Sequence, residues 1–311
     1  MRVLVANPRG FCAGVDRAIA AVEQTLQIVG PPLYVYHEIV HNQHVVGRLQ
    51  AEGVIFVDDL AYVPEQAVLI YSAHGVSPKV REQARARRLQ TIDATCPLVT
   101  KVHLEAIKYA QAGYSVLLIG HARHDEVVGT LGEVPTSIQL IQTVDDAERI
   151  TIPDPARVAY ITQTTLSLTD VKTIVDCLRI RFPKIVSPPK EDICYATQNR
   201  QQALAELAKD AHLVLVIASA NSSNSQRLAE LASQQPIPVY LINSVADLHP
   251  AWFRLAQRVT ITAGASTPEA VVQEVLQHLS TNYGATIEEQ KNPPETVRFP
   301  LPGELATLSV A

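Results

Sequence analysis

The chain has no apolar run approaching the roughly 20 residues that cross a bilayer, which excludes a helical membrane span. It also lacks a signal-peptide core, because the run Met1-Arg2-Val3-Leu4-Val5-Ala6 stops at Pro8. A soluble, cytoplasmic protein is expected. Charge is sparse: 18% of the 311 residues are charged, too few for a disordered chain, whereas 47% are hydrophobic, enough for buried sheets. Basic residues are not in excess, and the net charge of −5 argues against a nucleic-acid partner while leaving room for a local cationic pocket. Only four cysteines occur, Cys12, Cys96, Cys177 and Cys194. At that density in a cytosolic chain they read as metal-binding, catalytic or buried residues before disulfides.

What is present is one pattern three times over, at a period of about 85 to 100 residues. Each copy starts at a cysteine, followed by a predicted helix (Ala13–Val29, Val99–Gln111 or Gln198–Ala211) and a strand (Leu33–Tyr36, Ser115–Ile119 or Leu213–Ile217). A polar cluster comes next: His37-Glu38-Ile39-Val40-His41-Asn42, Gly120-His121-Ala122-Arg123-His124-Asp125-Glu126, or Ala220-Asn221-Ser222-Ser223-Asn224. A second strand follows (Val54–Val57, Ile138–Ile141 or Pro238–Ile242), and a third closes the copy (Ala67–Tyr71, Arg157–Ile161 or Arg258–Thr262). Each third strand runs into a loop of small and polar residues. This alternation implies parallel sheets in three α/β units, 13–96, 97–193 and 194–282. Thr91–Ala94 supplies a strand before Cys96; by analogy the N-terminal segment 1–12 is expected to join the third unit and close a ring. Residues 283–311, with Pro293, Pro294, Pro300 and Pro302, read as an extended C-terminal tail.

Ligands of parallel α/β units sit beyond the carboxyl ends of the strands, against helix N-termini. Three such units arranged as a trefoil would direct Cys12, Cys96 and Cys194 at one central site. Three equivalent thiolates suit either a tetrahedral metal or an iron–sulfur cluster. Spacings of 84 and 98 residues match no zinc ribbon or ferredoxin run, so the signal is the equivalence within the repeats. Three ligands would leave a cubane one open iron, a Lewis acid beside an electron store. Cys177 lies in an apolar helical stretch without a counterpart and reads as a buried structural thiol.

His41, His74 and His124 lie in equivalent loops and, with Ser222, Ser223, Asn224 and Ser266, offer donors for an anion. Their plainer roles are helix caps for the serines, a turn for Asn224 and ordinary surface contacts for the histidines; repetition favours a shared anion site. Glu126 is the carboxylate where the other copies carry the amides Asn42 and Asn224, which marks it for catalysis over a solvated helix start.

With these residues assembled, the chain resembles the 4-hydroxy-3-methylbut-2-enyl diphosphate reductase family. The matching stretches include Pro8-Arg9-Gly10-Phe11-Cys12-Ala13-Gly14-Val15, Ser72-Ala73-His74-Gly75-Val76-Ser77, Asp93-Ala94-Thr95-Cys96-Pro97-Leu98-Val99, Thr162-Gln163-Thr164-Thr165-Leu166-Ser167 and Asp192-Ile193-Cys194-Tyr195-Ala196-Thr197. Asn221-Ser222-Ser223-Asn224-Ser225 and Thr262-Ala263-Gly264-Ala265-Ser266 extend the match. The resemblance implies a [4Fe-4S] cluster on Cys12, Cys96 and Cys194, and a reductive dehydroxylation of an allylic diphosphate to isopentenyl and dimethylallyl diphosphates. Reduced ferredoxin or flavodoxin would be the electron donor. The resemblance maps His41, His74, Ser222, Asn224 and Ser266 to diphosphate binding with Ser223 beside them, and His124 near substrate and proton path. Glu126 maps to the proton source and Thr164 to the alcohol contact, with Thr165 adjacent. The family usually has proline before its glutamate; here Asp125 stands there. Residue types alone leave two other readings open: a zinc hydrolase on the three thiolates with Glu126 as general base, and a non-catalytic phosphometabolite sensor using the same cradle.

Overall fold

A computed structural model describes residues 1–308. Strand β1 (Arg2–Val5) leads into α1 (Ala13–Val29), β2 (Leu33–Tyr36), α2 (Gln43–Ala51), β3 (Val54–Val57), β4 (Val68–Tyr71), α3 (Pro78–Ala86) and β5 (Gln90–Asp93). The second repeat runs through α4 (Pro97–Gln111), β6 (Ser115–Ile119), α5 (Asp125–Glu133), β7 (Ile138–Ile141), α6 (Val144–Arg149), β8 (Val158–Thr162) and α7 (Leu168–Arg181). The third comprises α8 (Tyr195–Ala208), β9 (Leu213–Ile217), α9 (Ser223–Ser233), β10 (Val239–Ile242), β11 (Arg258–Ala263) and α10 (Glu269–Tyr283), and β12 (Thr286–Glu289) follows.

The fold is α/β with three parallel sheets, as the alternation in the sequence requires. Their strand orders are β3-β2-β4-β5, β7-β6-β8 and β10-β9-β11-β1-β12. In each, the second strand of the repeat lies outside the first, and the third lies on the other side. β5 takes a fourth position before Cys96, and β1 takes the corresponding position before Cys12, in register with β11 from Arg2↔Arg258 to Val5↔Ile261. Before Cys194 that position holds only a parallel bridge, Ala159↔Val186. Pro183, Pro188 and Pro189 flank Val186 and lack the N–H groups a longer ladder needs.

Alternation along buried strands sends side chains to two helical layers. Leu117 and Ile119 of β6 pack with Ile174, Val175 and Leu178 of α7, while Val116 and Leu118 pack with Val102 and Ala106 of α4. In β9, Leu213, Leu215 and Ile217 meet Val272, Val275 and Leu279 of α10, while Val214 and Val216 meet Leu204 and Leu228.

The chain forms two compact units. One contains Met1–Val15, His41–Arg48 and Tyr195–Arg298, and holds the five-stranded sheet. The other contains Asp16–Val40, Leu49–Cys194 and, among the described residues, 299–308, and holds the other two sheets. Among the described residues no helix is long and apolar enough to cross a membrane.

Candidate functional site

All three candidate ligands stand at the same kind of junction. Cys12, Cys96 and Cys194 immediately precede α1, α4 and α8. Each backbone N–H donates to a carbonyl in the loop that follows a third strand: Cys12 to Ala265 (3.2 Å), Cys96 to Ala73 (2.9 Å) and Cys194 to Thr164 (3.0 Å). The equivalence read in the sequence therefore extends to main-chain hydrogen bonding. Cations hold the approaching turns. Arg17 donates to the Thr95 carbonyl at 2.9 Å, and Lys101 donates to Asp192 at 2.6 Å, whose other oxygen accepts from Thr162 N–H at 2.8 Å. Arg200 donates to Gly10 and Phe11 beside Cys12, at 2.7 and 3.3 Å. Burial pushes the Cys12 thiol up, partly offset by the Arg200 charge and by the Val15 and Gly14 N–H groups. None of the four cysteines is in a disulfide. Cys177 is half-buried at the edge of the apolar cluster around Ile174 and Leu178, less enclosed than the buried thiol expected from its helical stretch.

In the unit with two sheets, α5 begins at the carboxyl end of β6. His124 is its N-cap, and the His124 Nδ1 accepts from Glu126 N–H at 3.2 Å. Glu126 is 2% exposed. Its Oε1 accepts from Thr164 N–H at 2.7 Å and its Oε2 from the Thr164 hydroxyl at 3.0 Å. Burial raises its pKa to about 7, against the two Thr164 hydrogen bonds and with help from the Asp192 charge. Thr165 is placed differently, its hydroxyl accepting from Gln163 Nε2 at 2.9 Å. The His74 and His124 rings meet edge to face with centroids 5.7 Å apart.

Asp125, one residue away, faces other groups. Its carboxylate lies 2.7 Å from His37 Nδ1 and 4.0 Å from His74 Nδ1. Burial pulls the His37 imidazole down, but the Asp125 hydrogen bond and charge more than offset it, so its pKa is raised. Sequence reasoning passed over His37. Its left-handed backbone, φ 59°, which turns it toward Asp125, leaves no mark in composition or period.

In the other unit, the Ser266 hydroxyl donates to the His41 carbonyl at 2.9 Å. Ser222 precedes α9, and its hydroxyl accepts from Ser225 at 2.8 Å instead of capping the helix. A Cβ on Gly264 would lie 1.9 Å from Ser225 Oγ, so any side chain there would push the Ser225 hydroxyl from its place as the Ser266 loop approaches this helix start. Asn224 is 4% exposed, yet neither its amide nitrogen nor its amide oxygen has a hydrogen-bond partner. A buried amide without a partner at a helix N-terminus has both a donor and an acceptor to offer. Asn42, at the matching position before α2, is different: its Oδ1 accepts from His44 and Val45 N–H as a helix cap.

The LytB protein family matches residues 3–280. A 4-hydroxy-3-methylbut-2-enyl diphosphate reductase of Rhodopirellula baltica is 54% identical over 305 residues, covering 98% of this chain and 96% of that protein. One of the same name from Pseudomonas putida is 50% identical over 315 residues and covers both chains completely. The structure of the E-1-hydroxy-2-methyl-but-2-enyl-4-diphosphate reductase from Plasmodium falciparum matches with a TM-score of 0.94 at 39% identity, over 98% of this chain and 97% of that one. A structure of an (E)-4-hydroxy-3-methyl-but-2-enyl diphosphate reductase, the terminal enzyme of the non-mevalonate pathway, matches at 31% identity and a TM-score of 0.64.

Proposed function

Because the chain belongs to the LytB protein family, we propose that it reduces (E)-4-hydroxy-3-methylbut-2-enyl diphosphate to isopentenyl and dimethylallyl diphosphates in the cytoplasm. Two electrons and two protons enter, the allylic carbon–oxygen bond breaks, and water leaves. The observation that carries the reading is Glu126, a buried carboxyl gripped by both donors of Thr164 and tuned to about 7. Breaking that bond needs a proton on a poor leaving group, and a carboxyl that is half protonated near neutrality is matched to give it.

Cys12, Cys96 and Cys194 would hold a [4Fe-4S] cluster, one ligand from the residue preceding each of α1, α4 and α8. Their fit rests on chemistry and position: three soft thiols outside any disulfide, each opening a helix behind the same main-chain bond. When bound, the cluster supplies the electrons and an iron with Lewis acidity. Reduced ferredoxin or flavodoxin is the proposed donor.

His41, His74, Ser222, Ser223, Asn224 and Ser266 bind the diphosphate, and Asn224 brings an amide that is already desolvated and unpaired. His124 keeps the start of α5 in place through Glu126 N–H and stands beside the substrate. The Thr164 hydroxyl contacts the substrate alcohol and relays the proton of Glu126, since a hydroxyl both donates and accepts. Thr165, bonded to Gln163, supports that loop.

Anaerobic purification tests the reading. Iron and acid-labile sulfide in equal amounts, a brown colour, and turnover of the allylic diphosphate with a reduced donor are expected. A colourless zinc protein that hydrolyses the diphosphate would overturn it.

A further inference from the structure

Arg200 heads the largest fully buried side chains among the described residues, and it has a charge to satisfy. Its Nε and Nη2 donate to the Gly10 carbonyl at 3.2 and 2.7 Å, and Nη2 also reaches Phe11 O at 3.3 Å. Nη1 donates to Ala196 O at 3.0 Å, one turn back in α8. Its carboxylate partner is Glu295, 3.1 Å away, in the proline-rich segment after β12. Asn199 Nδ2 donates to the same Glu295 oxygen, Oε1, at 2.9 Å. Across the loop, Gly10 N–H and Cys12 N–H donate to Ala263 and Ala265. The turn that presents Cys12 is thus clamped between the end of β11 and one guanidinium.

A buried ion pair is a weak source of stability, because desolvation consumes most of the attraction. This pair does something an apolar residue could not: it puts a fixed positive charge against the two residues preceding Cys12, with a counter-charge carried by a separate stretch of chain. Charge near an iron–sulfur cluster moves its potential.

Resting on the cluster reading above, we propose that Arg200 is a positioning residue for Cys12, and that the Arg200–Glu295 pair sets the reduction potential of the cluster. The guanidinium favours the reduced, more negative cluster; the Glu295 carboxylate opposes it.

The test uses the full chain with its cluster, anaerobically, and reads midpoint potential and iron release to a chelator. Glu295→Gln keeps an oxygen for the guanidinium and removes the charge. It is expected to shift the midpoint to more positive values, by about tenfold in the reduced-to-oxidised ratio at fixed potential, or about 59 mV for a one-electron couple. Glu295→Asp, which keeps the charge, should restore the wild-type value. Arg200→Lys keeps the charge but loses the planar fork, and should release iron about tenfold faster. An unchanged or more negative midpoint in Glu295→Gln overturns the electrostatic part, and wild-type iron release in Arg200→Lys overturns the positioning part. Wild-type protein devoid of iron and sulfide would instead overturn the function proposed above, and this inference with it.

Discussion

At the scale of single residues, Glu126 sits where two effects oppose each other. The start of a helix favours a charged carboxylate, while burial favours the neutral acid, and a pKa of about 7 shows that burial prevails. Glu126→Gln should keep iron and bind substrate but lose roughly 10²–10⁴-fold in turnover, the range for removing a positioned acid. In the wild type the rate should fall as pH rises through about 7; in the variant that limb should vanish. Stability falls over the same rise in pH. The native carboxyl holds its proton more tightly than the ordinary value of 4.5, so the cost of ionising it is absent below about 4.5 and complete above about 7. That cost is on the order of 3 kcal/mol. Glu126→Gln should therefore melt above the wild type at pH 8 and level with it at pH 4. Asp125→Asn, which touches His37 and leaves the Thr164 bonds intact, should lower turnover by less than about tenfold. If the two variants exchange these behaviours, the acid is misassigned. Glu126 was legible as the odd carboxylate among repeated amides, but its partner Thr164 lies 38 residues away and came only through resemblance.

At the scale of elements, the strand-to-helix junctions hold the site. Serine at Cys12, Cys96 or Cys194 should strip or badly damage the cluster, because a hydroxyl is a poor iron ligand. Cys177→Ser should leave iron content unchanged and, at this half-buried position, cost about 1 kcal/mol or less of stability. Colour lost in Cys177→Ser alone would sink the assignment. The start of α9 makes a sharper demand. Asn224→Ala should weaken binding of inorganic diphosphate at least tenfold, about 1.4 kcal/mol, measured by calorimetry. It should not destabilise the metal-free chain, since the amide it removes is buried without a partner and unsatisfied groups cost about 1–3 kcal/mol. A plain helix-capping Asn would show the reverse.

Most of these elements could be read from apolar alternation and turn residues, and the observed strands of the repeats fall within about a residue of the expected ones. Two features could not. Helix α8 starts at Tyr195, three residues before the expected Gln198, with the Tyr195 hydroxyl accepting from Ala13 N–H at 3.3 Å, a contact between distant parts of the chain. β12 lies inside the segment read as an extended tail; Thr-Ile-Glu-Glu has no apolar period, and it is a strand because β1 offers it a ladder.

At the scale of the whole chain, sequence neighbours and spatial neighbours part company. The unit with the five-stranded sheet is assembled from three separate stretches, and β1 pairs with β11 and β12, more than 250 residues further on. A chain ending at Gly284 should lose the ladder on one side of β1 and leave Arg200 without Glu295. The uncompensated buried charge, about 3–5 kcal/mol, is common to this chain and to one carrying only Glu295→Gln, so a melting temperature below that of Glu295→Gln is expected and reports the lost β1–β12 ladder. Equal melting of the two would show that β12 contributes nothing.

The pairing of β1 also dictates an order of events during biosynthesis. Arg2–Val5 and Cys12 are synthesised more than 240 residues before Arg258–Glu289, whose strands flank β1. At 5–20 residues per second, the interval is about 15–60 s. Through that time β1 has no sheet to join, and the turn of Cys12 lacks the Ala265 carbonyl that holds it. Until β11 is in place the chain carries an open strand edge at β1, and the turn that presents Cys12 is set only once Ala265 has joined it.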